Sequence, residues 1–251
     1  MVLVAQLVEH LPVEQRVVGS IPIKHPKIVS SFVQHPKLIL FDIDHTLVAG
    51  RAADVYYRRF PWLVRDAFAR HLGIEYERAK EYVERHLAFL EGRAPADLDA
   101  RRDFGLERWY DAIVRVDPSE FLKPMPSIVA MLETLRNEGY ALGIVTDSPT
   151  PQAERVLDAI GVHKNIFRVF VGWERGKKIP KDGTGEVFER VCGAFGCAPS
   201  EALMTGDSLL TDILPAHRLG LAVVHISPVK PDHIFPFIPS VESLPAYLRG
   251  I

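Results

Sequence analysis

Five short apolar stretches recur along this chain, and over its second half they alternate with helical patterns. They are KLILFD (37–42), YALGIVT (140–146), FRVFVG (167–172), EALMTGD (201–207) and LAVVHI (221–226). Short runs of this kind, several of them β-branched, are typical of strands buried on both faces. Strands that alternate with helices build right-handed βαβ units around a parallel sheet. The sequence therefore predicts an α/β fold, with a Rossmann-like parallel sheet of about five strands and helices on both faces.

The interval between the first two predicted strands is too long for a simple crossover. It runs from Asp42 to Tyr140, whereas a complete βαβ unit needs only about 30 residues. PSIVAMLETLRNE (126–138) supplies the crossover helix, which leaves 51–122 surplus, with the pattern of three or four amphipathic helices. We therefore expect a small α-helical cap domain, inserted after the first strand. The predicted divisions are a core at 37–50 and 123–251 and a cap at 51–122.

Aromatic residues are frequent in the inserted segment. We expect most of them to form its own core, with one or two left to line a ligand cleft. They are Tyr56, Tyr57, Phe60, Trp62, Phe68, Trp109 and Tyr110.

The N-terminal extension, residues 1–36, differs from the rest because it has several prolines and no clean period. Its stretch VAQLVEHLPVEQRVVGSIPI resembles the product of a tRNA gene translated by mistake. Our hypothesis is that the true start lies downstream, so that residues 1 to about 30 are poorly ordered or absent in the cell. Native peptides that contain Gln6 or Arg16, detected by N-terminal mass spectrometry, would contradict it.

Charge and composition favour no macromolecular partner. The 30 basic and 32 acidic side chains give a formal charge of −2, which exerts no overall attraction for nucleic acid or anionic membrane. No apolar run approaches the roughly 18 residues of a membrane span, and the first residues lack a signal-peptide pattern. Cys192 and Cys197 are too few for a disulfide framework or a four-ligand zinc site. We expect a cytoplasmic monomer or homodimer without nucleic-acid or membrane partners.

Polar residues follow the predicted strands where each strand ends. The first strand leads into FDIDHT (41–46), the second into TDS (146–148), and the fourth into GDSLLTD (206–212). A basic stretch, RGKKIPK (175–181), follows the third. Ligands of open parallel sheets bind at the carboxyl ends of the strands. Acids, hydroxyls and lysines are therefore expected to converge on one edge.

These residue types suit phosphate chemistry with a metal ion. Clustered carboxylates repel one another and require a cation, and oxygen ligands without His or Cys suit Mg²⁺. The cation in turn neutralises an anionic substrate such as a phosphate. Lysine and threonine supply donors for phosphate oxygens. Of two neighbouring carboxylates, one could attack phosphorus and the other could protonate the leaving alcohol and later deprotonate water.

The same stretches resemble a known family. FDIDHTL (41–47), IVTDS (144–148) and GDSLLTD (206–212) are similar to the first, second and fourth signatures of the haloacid dehalogenase-like (HAD) hydrolase superfamily. A lysine before the predicted helix 185–196 corresponds to the third. The resemblance covers 37–251, and the insert lies where the phosphatases of this family carry a type I helical cap.

The resemblance implies a role for each matching residue. Asp42 is the expected nucleophile and a metal ligand. Asp44 is the expected general acid/base, and its backbone carbonyl binds the metal, Mg²⁺. Thr146 binds the phosphoryl group, and Asp207 binds the metal directly. Asp212 orients the metal-bound waters or the lysine.

Two positions depart from the family pattern. Asp147 stands where the family often has Asn, which adds an acid beside the phosphate site. It either points away or alters the preference for metal or substrate. The lysine is Lys181 or Lys178, and Lys181 is preferred because it keeps nearly the usual distance to Phe188. The expected phosphate-binding set is Thr146, Asp147 and Lys181.

The presence of Asp44, the second acid of the first signature, limits the types of reaction that this site could catalyse. The dehalogenases and phosphonatases of the family lack it, so Asp44 favours phosphoryl transfer to an oxygen acceptor. We expect a Mg²⁺-dependent phosphohydrolase that acts on a small phosphorylated metabolite through an aspartyl-phosphate. The alternatives are a sugar phosphomutase with the same chemistry and, less favoured, a non-catalytic binding protein. The candidate substrate contacts from the cap are Arg51, Tyr56, Arg58 and Arg59.

Other polar features have simpler interpretations. His45 is expected to be a solvated neighbour of the acids, because Asp44 already fills the role of base. Thr46 is expected to be a turn or capping hydroxyl. The stretch DGTG (182–185) resembles a phosphate loop but is more typical of a turn that starts a helix.

Overall fold

The computed structural model describes residues 35–81, 84 and 107–250. Within these residues, the fold is built on a parallel sheet with the strand order β3-β2-β1-β4-β5-β6. The strands are β1 (Leu38–Phe41), β2 (Ala141–Pro149), β3 (Val169–Trp173), β4 (Ala202–Gly206), β5 (Ala222–Ile226) and β6 (Phe237–Ile238). The predicted α/β fold is confirmed. The sheet has one strand more than predicted, because β6 is only two residues long and forms no apolar run of its own.

The helices cover both faces of this sheet, as predicted. They are α1 (Arg51–Leu72), α2 (Pro126–Asn137), α3 (Thr150–Ala159), α4 (Glu186–Phe195), α5 (Leu214–Leu219) and α6 (Leu244–Arg249). Successive side chains of a strand point to opposite faces. In β1 this sends Ile39 and Phe41 into the apolar cluster with α2, α3 and α6, and Leu38 and Leu40 into the cluster with α4 and α5.

Strand β1 determines where the polar strand ends meet. All four of its residues are buried, and it lies between β2 and β4. Phe41 is paired with Ile144 on one side and with Thr205 on the other. The chain reverses its direction of strand addition between β1 and β4, which is the crevice where sheets of this order bind ligands. Asp42 enters that crevice, and its N–H donates to the Thr205 carbonyl over 3.1 Å.

Most of the inserted segment that the structure describes is helical. Helix α1 occupies its start, and residues 76–81 and 107–113 are also helical. Helix α1 ends at Gly73, whose left-handed φ of 64° favours glycine. Residues 82–83 and 85–106 lie outside the described part of the chain. The cap boundaries therefore stay a prediction.

Most of the aromatic residues expected to form a core are buried. Tyr56, Phe68, Trp109 and Tyr110 join the same apolar cluster as Phe41, so this segment packs continuously with one face of the sheet. Trp62 is the exception. It is 57% exposed and stacks on Tyr76, with a ring separation of 6.2 Å.

The N-terminal extension and the membrane-span prediction concern parts of the chain outside the sheet. The hypothesis of a downstream start concerns residues 1 to about 30, and residues 1–34 lie outside the described part of the chain. No helix within the described residues combines the length and the apolar character that a membrane crossing requires.

Candidate active site

A buried lysine joins two of the predicted acids. Lys181 lies in the loop between β3 and α4, Asp42 directly follows β1, and Asp212 lies in the turn after β4. The Lys181 Nζ donates to Asp42 Oδ1 over 2.7 Å and to Asp212 Oδ1 over 2.6 Å. The exposed fractions of Lys181, Asp42 and Asp212 are 6%, 4% and 0%. Charges this deeply buried require partners of opposite sign, and these three provide them for one another.

Asp207 adds a further carboxylate to this group. One carboxylate oxygen each from Asp42, Asp207 and Asp212 lies within 4.8 Å of the others. Burial raises the pKa of Asp42 well above its ordinary value, and Asp212 and Asp207 raise it further against the opposing effect of Lys181. Burial and Asp212 raise the pKa of Asp207 to about 8. Burial is the main cause of both shifts, and the neighbouring acids add to it.

The donor set fits a hard divalent cation. Its ligand atoms are all carboxylate oxygens, which Mg²⁺ and similar cations prefer over nitrogen or sulfur. Asp212 is the least available of the three, because its Oδ1 accepts from Lys181 and its Oδ2 accepts from the Ser208 N–H over 3.1 Å. Asp42 and Asp207 are therefore the side chains best placed to hold an ion.

The turn after β4 explains the spacing of the GDSLLTD motif. Residues Leu209–Ile213 form a single wide π-helical turn, in which the Ser208 carbonyl accepts from both Asp212 and Ile213. Such turns are frequent at functional sites. The turn brings Asp212 back against Gly206, where a Cβ atom would lie 2.3 Å from Asp212 Oδ2. Only glycine leaves room for the buried carboxylate.

The carboxyl group of Asp44 is held by two hydroxyl groups. Tyr57 on α1 donates its hydroxyl to Asp44 Oδ1 over 3.0 Å. Ser148, near the end of β2, donates to Asp44 Oδ2 over 2.6 Å. Burial and the Asp44 charge raise the pKa of the Tyr57 phenol well above its ordinary value. Ser148 belongs to the stretch TDS and Tyr57 to the aromatic residues of the insert, but no motif in the sequence predicts that either contacts Asp44.

His45 lies beneath Tyr57 rather than in solvent. It is half-buried, and its ring stacks on the Tyr57 ring at a centroid distance of 4.0 Å. Its backbone has a positive φ of 58°, which is uncommon for a residue with a side chain. The His45 N–H is directed to the Val48 carbonyl, at 3.0 Å, and to the Tyr57 hydroxyl, at 3.3 Å. These contacts hold the tight turn that separates Asp42 from the start of the inserted segment.

Thr146 and Asp147 lie next to each other near the end of β2 but make different contacts. Thr146 is fully buried, and its hydroxyl accepts from the Ser148 N–H over 3.2 Å. Asp147 Oδ1 accepts from the backbone N–H of Lys181 over 2.7 Å. Burial raises the pKa of Asp147 to about 6. This contact shows Asp147 holding the Lys181 loop, and its place in the phosphate-binding set stays a prediction.

The two candidate lysines lie in different surroundings. Lys181 is buried among the acids, whereas Lys178 is exposed and forms an ion pair with Asp182. Asp182 also accepts from the Thr184 hydroxyl over 2.6 Å, and α4 begins just after Gly185. The geometry therefore supports Lys181 as the motif lysine and DGTG as a helix-starting turn.

The candidate cap contacts do not all face the acids. The Tyr56 hydroxyl accepts from Gln152 on α3 over 3.1 Å. Arg58 and Arg59 are exposed, and the Arg59 guanidinium lies 5.8 Å from the centre of the Phe121 ring. The side chain of Arg51 lies outside the described part of the structure. Tyr57, the neighbour of Tyr56, contacts one of the acids at the strand ends, Asp44.

A histidine supports the backbone at Asp207. His225 at the end of β5 is buried, and its Nε2 lies 2.7 Å from the Asp207 carbonyl oxygen. Its Nδ1 lies 2.6 Å from His233 Nε2. The Phe235 N–H donates to His233 Nδ1, so neutral rings with Nε2–H on both histidines satisfy every contact. Histidine spacing along the sequence contained no sign of this arrangement.

Comparison with known proteins connects this site to a family. A phosphoglycolate phosphatase of Pasteurella multocida (strain Pm70) is 36% identical over 122 residues, which are 44% of this chain and 52% of that protein. A glyceraldehyde 3-phosphate phosphatase of Methanopyrus kandleri is 32% identical over 106 residues, 42% of this chain and 44% of that protein. The chain thus spans about half the length of the curated relatives it matches.

Similarity of structure extends further along the chain. The crystal structure of a HAD phosphatase from Thermococcus onnurineus superposes with a TM-score of 0.60 and 27% identity, over 85% of this chain and 98% of that one. The family model for haloacid dehalogenase-like hydrolases matches residues 36–220. That match covers well over half of the chain and includes the lysine and all the acids described above. The predicted resemblance is confirmed, and the chain belongs to the haloacid dehalogenase-like hydrolase family.

Proposed function

We propose that this protein is a Mg²⁺-dependent phosphohydrolase that acts on a small phosphorylated metabolite through an aspartyl-phosphate on Asp42. The observation that carries the proposal is the buried contact of Lys181 with Asp42 and Asp212, next to Asp207. This arrangement supports the proposal because it brings a carboxylate, an acidic group that could hold a cation and an ammonium group together. Two relatives that are named as phosphatases of phosphoglycolate and glyceraldehyde 3-phosphate support a small monoester as substrate.

Asp42 and Asp207 would hold the Mg²⁺ ion, together with the backbone carbonyl of Asp44. When bound, the ion neutralises charge on the phosphoryl oxygens and makes the phosphorus easier to attack. Asp212 remains with Lys181, because both of its oxygens already accept hydrogen bonds. In this role Asp212 keeps the lysine charged and correctly placed.

In the first step, the Asp42 oxygen that does not contact Lys181 attacks phosphorus. The bond between phosphorus and the leaving oxygen breaks, and Asp44 donates its proton to that oxygen. An ammonium group has three N–H donors. Lys181 uses two of them on Asp42 and Asp212, so the third is assigned to a phosphoryl oxygen. The Thr146 hydroxyl supplies a further donor.

In the second step, the ionised Asp44 takes a proton from water, and the water oxygen attacks the phosphorus of the aspartyl-phosphate. The bond from phosphorus to Asp42 breaks, which releases inorganic phosphate and restores the carboxylate. The segment 51–122 would act as the cap that limits water and substrate size. The contact of α1 with Asp44 through Tyr57 supports this assignment.

The proposal is tested by hydrolysis of p-nitrophenyl phosphate with Mg²⁺ and with excess EDTA. We expect activity only with Mg²⁺, and a loss on the order of 10³-fold or more in Asp42→Asn. Asp158→Asn, which changes an exposed acid on α3, is the matched control and should keep full activity. Activity that survives Asp42→Asn would contradict the aspartyl-phosphate mechanism. Phosphate release from a panel of sugar phosphates distinguishes hydrolysis from mutase chemistry.

A further inference from the structure

We propose that Tyr57 and Ser148 are positioning residues that orient the Asp44 carboxyl group for proton transfer. The inference rests on the proposed function, in which Asp44 is the general acid/base. It gives a role to two residues to which the family resemblance assigns none, Tyr57 in the inserted segment and Ser148 at the end of the stretch IVTDS.

The contacts restrain both oxygens of the same carboxyl group. The Tyr57 hydroxyl binds Oδ1 and the Ser148 hydroxyl binds Oδ2, from positions 13 and 104 residues away along the chain. A carboxyl group held at one oxygen can still rotate about its terminal torsion, which is a broad one. Held at both oxygens, it keeps one plane. A general acid must reach within hydrogen-bond distance of the leaving oxygen, so a fixed plane favours transfer.

Hydroxyl groups suit an acid/base better than cationic partners would. Asp44 has to be a carboxylic acid in the first step and a carboxylate in the second. A hydroxyl can donate to a carboxylate and, after rotation, accept from a carboxylic acid, whereas lysine and arginine only donate. The Ser148 and Tyr57 hydroxyls therefore fit Asp44 through both steps.

The packing of α1 keeps Tyr57 in place. Its ring stacks on His45, and its hydroxyl lies 3.3 Å from the His45 N–H. The neighbouring Tyr56 ties the same helix to α3, because its hydroxyl accepts from Gln152. Tyr57 thus reaches Asp44 from a helix that is itself fastened to the core.

The test compares two substrates that differ in their need for a general acid. The alkoxide of β-glycerophosphate leaves only with a proton, whereas nitrophenolate leaves p-nitrophenyl phosphate without one. In Tyr57→Phe we expect kcat/KM for β-glycerophosphate to fall at least about tenfold, and that for p-nitrophenyl phosphate less than about threefold. Ser148→Ala should show the same selectivity. The double variant should lose less than the product of the two single losses, because both act on one carboxyl group.

Tyr76→Phe is the matched control, since it removes a tyrosine hydroxyl from the same inserted segment that makes no hydrogen bond within the described part of the chain. Any loss it causes should be equal for the two substrates. An equal loss for both substrates in Tyr57→Phe, or no loss, overturns the inference and leaves the proposed function intact. Wild-type protein that hydrolyses neither phosphate with Mg²⁺ overturns the proposed function and the inference with it.

Discussion

Both the side chain and the backbone of Lys181 make contacts that hold it in the site. Its ammonium group binds Asp42 and Asp212, while its backbone N–H donates to Asp147. Burial by itself lowers the pKa of Lys181, but Asp212, Asp42 and Asp147 raise it well above the ordinary value. The lysine is therefore charged whenever the surrounding acids are ionised. Asp147, the departure from the family pattern, acts on the loop that carries the lysine.

Asp147 should make stability depend on pH between about 4 and 6. Burial raises its pKa to about 6 in the folded protein, so the folded state binds a proton more tightly than the unfolded state. The free energy of unfolding should fall as pH rises through this window, by up to about 3 kcal/mol. Asp147→Asn keeps an oxygen for the Lys181 N–H and removes the ionisation. Urea unfolding with EDTA should show a shallower decline and greater stability at pH 7.

Asp117 is the control for this prediction, because its pKa is shifted in the opposite direction from that of Asp147. Hydrogen bonds from the side chain and N–H of Ser119 lower the pKa of the exposed Asp117. Its contribution to stability is present at neutral pH and is lost as pH falls through its folded pKa. Asp117→Asn should therefore lower stability at pH 7. If Asp147→Asn behaves like Asp117→Asn, burial is not the dominant effect at Asp147.

At the level of secondary structure, a series of hydrogen bonds between side chains links α1 to the core. Gln152 on α3 donates to the Tyr56 hydroxyl over 3.1 Å, and its own Oε1 accepts from Arg155 over 2.6 Å. Arg155 also donates to the Val114 carbonyl, in the returning part of the inserted segment. Gln152 and Tyr56 are each about 1% exposed, so water cannot replace these bonds readily. Through these hydrogen bonds, Tyr56 near the start of the insert and Val114 near its end are both linked to α3.

Gln152→Ala should destabilise the protein by about 1–3 kcal/mol, because it leaves the buried Tyr56 hydroxyl without its donor and removes one of the two acceptors of Arg155. The free energy of unfolding from urea titration measures this. Adding Tyr56→Phe should cost less than the sum of the two single changes, since the tyrosine hydroxyl is already unpaired. Glu154→Ala on the same helix breaks only the ion pair with Lys164 and should cost less than about 1 kcal/mol. Equal costs for the two alanine variants would contradict a special role for Gln152.

At the scale of the whole molecule, the sheet concentrates negative charge at one edge. The overall charge is only −2, yet Asp42, Asp207 and Asp212 bring their oxygens within 4.8 Å. Burying these groups beside one another costs free energy, which appears as the raised pKa values of Asp42 and Asp207. A cation bound between them would offset that cost.

Mg²⁺ should therefore raise the melting temperature of the whole protein. At 100 times its Kd, a ligand that binds only the folded state adds about 2.7 kcal/mol. Asp207→Asn should abolish most of the Mg²⁺-dependent shift. The same variant should be more stable than wild type in EDTA at neutral pH, because it removes a carboxylate whose ionisation the fold disfavours. A Mg²⁺ shift of unchanged size in Asp207→Asn, measured by differential scanning fluorimetry, would contradict the assignment of this ligand.

The sequence by itself determined the sheet, the family and the acids at the strand ends. Strands β1 to β5 each coincide with a local apolar run. The rules for βαβ units then place the carboxyl ends of these strands on one edge of the sheet. Asp42 and Asp207 follow such runs directly, so their convergence required no knowledge of side-chain conformation. The two-residue β6 escaped prediction because it forms no run and exists only through its pairing with β5.

Only the tertiary structure decided which side chains meet. Lys181 contacts Asp42 across 139 positions, and Ser148 contacts Asp44 across 104. Such contacts depend on loop conformations and helix rotations that no local pattern encodes. On α1, adjacent tyrosines differ by about 100° in direction, so sequence could not tell that Tyr57 faces Asp44 while Tyr56 faces Gln152. The direction of Asp147 was settled in the same way, by the position of the Lys181 loop.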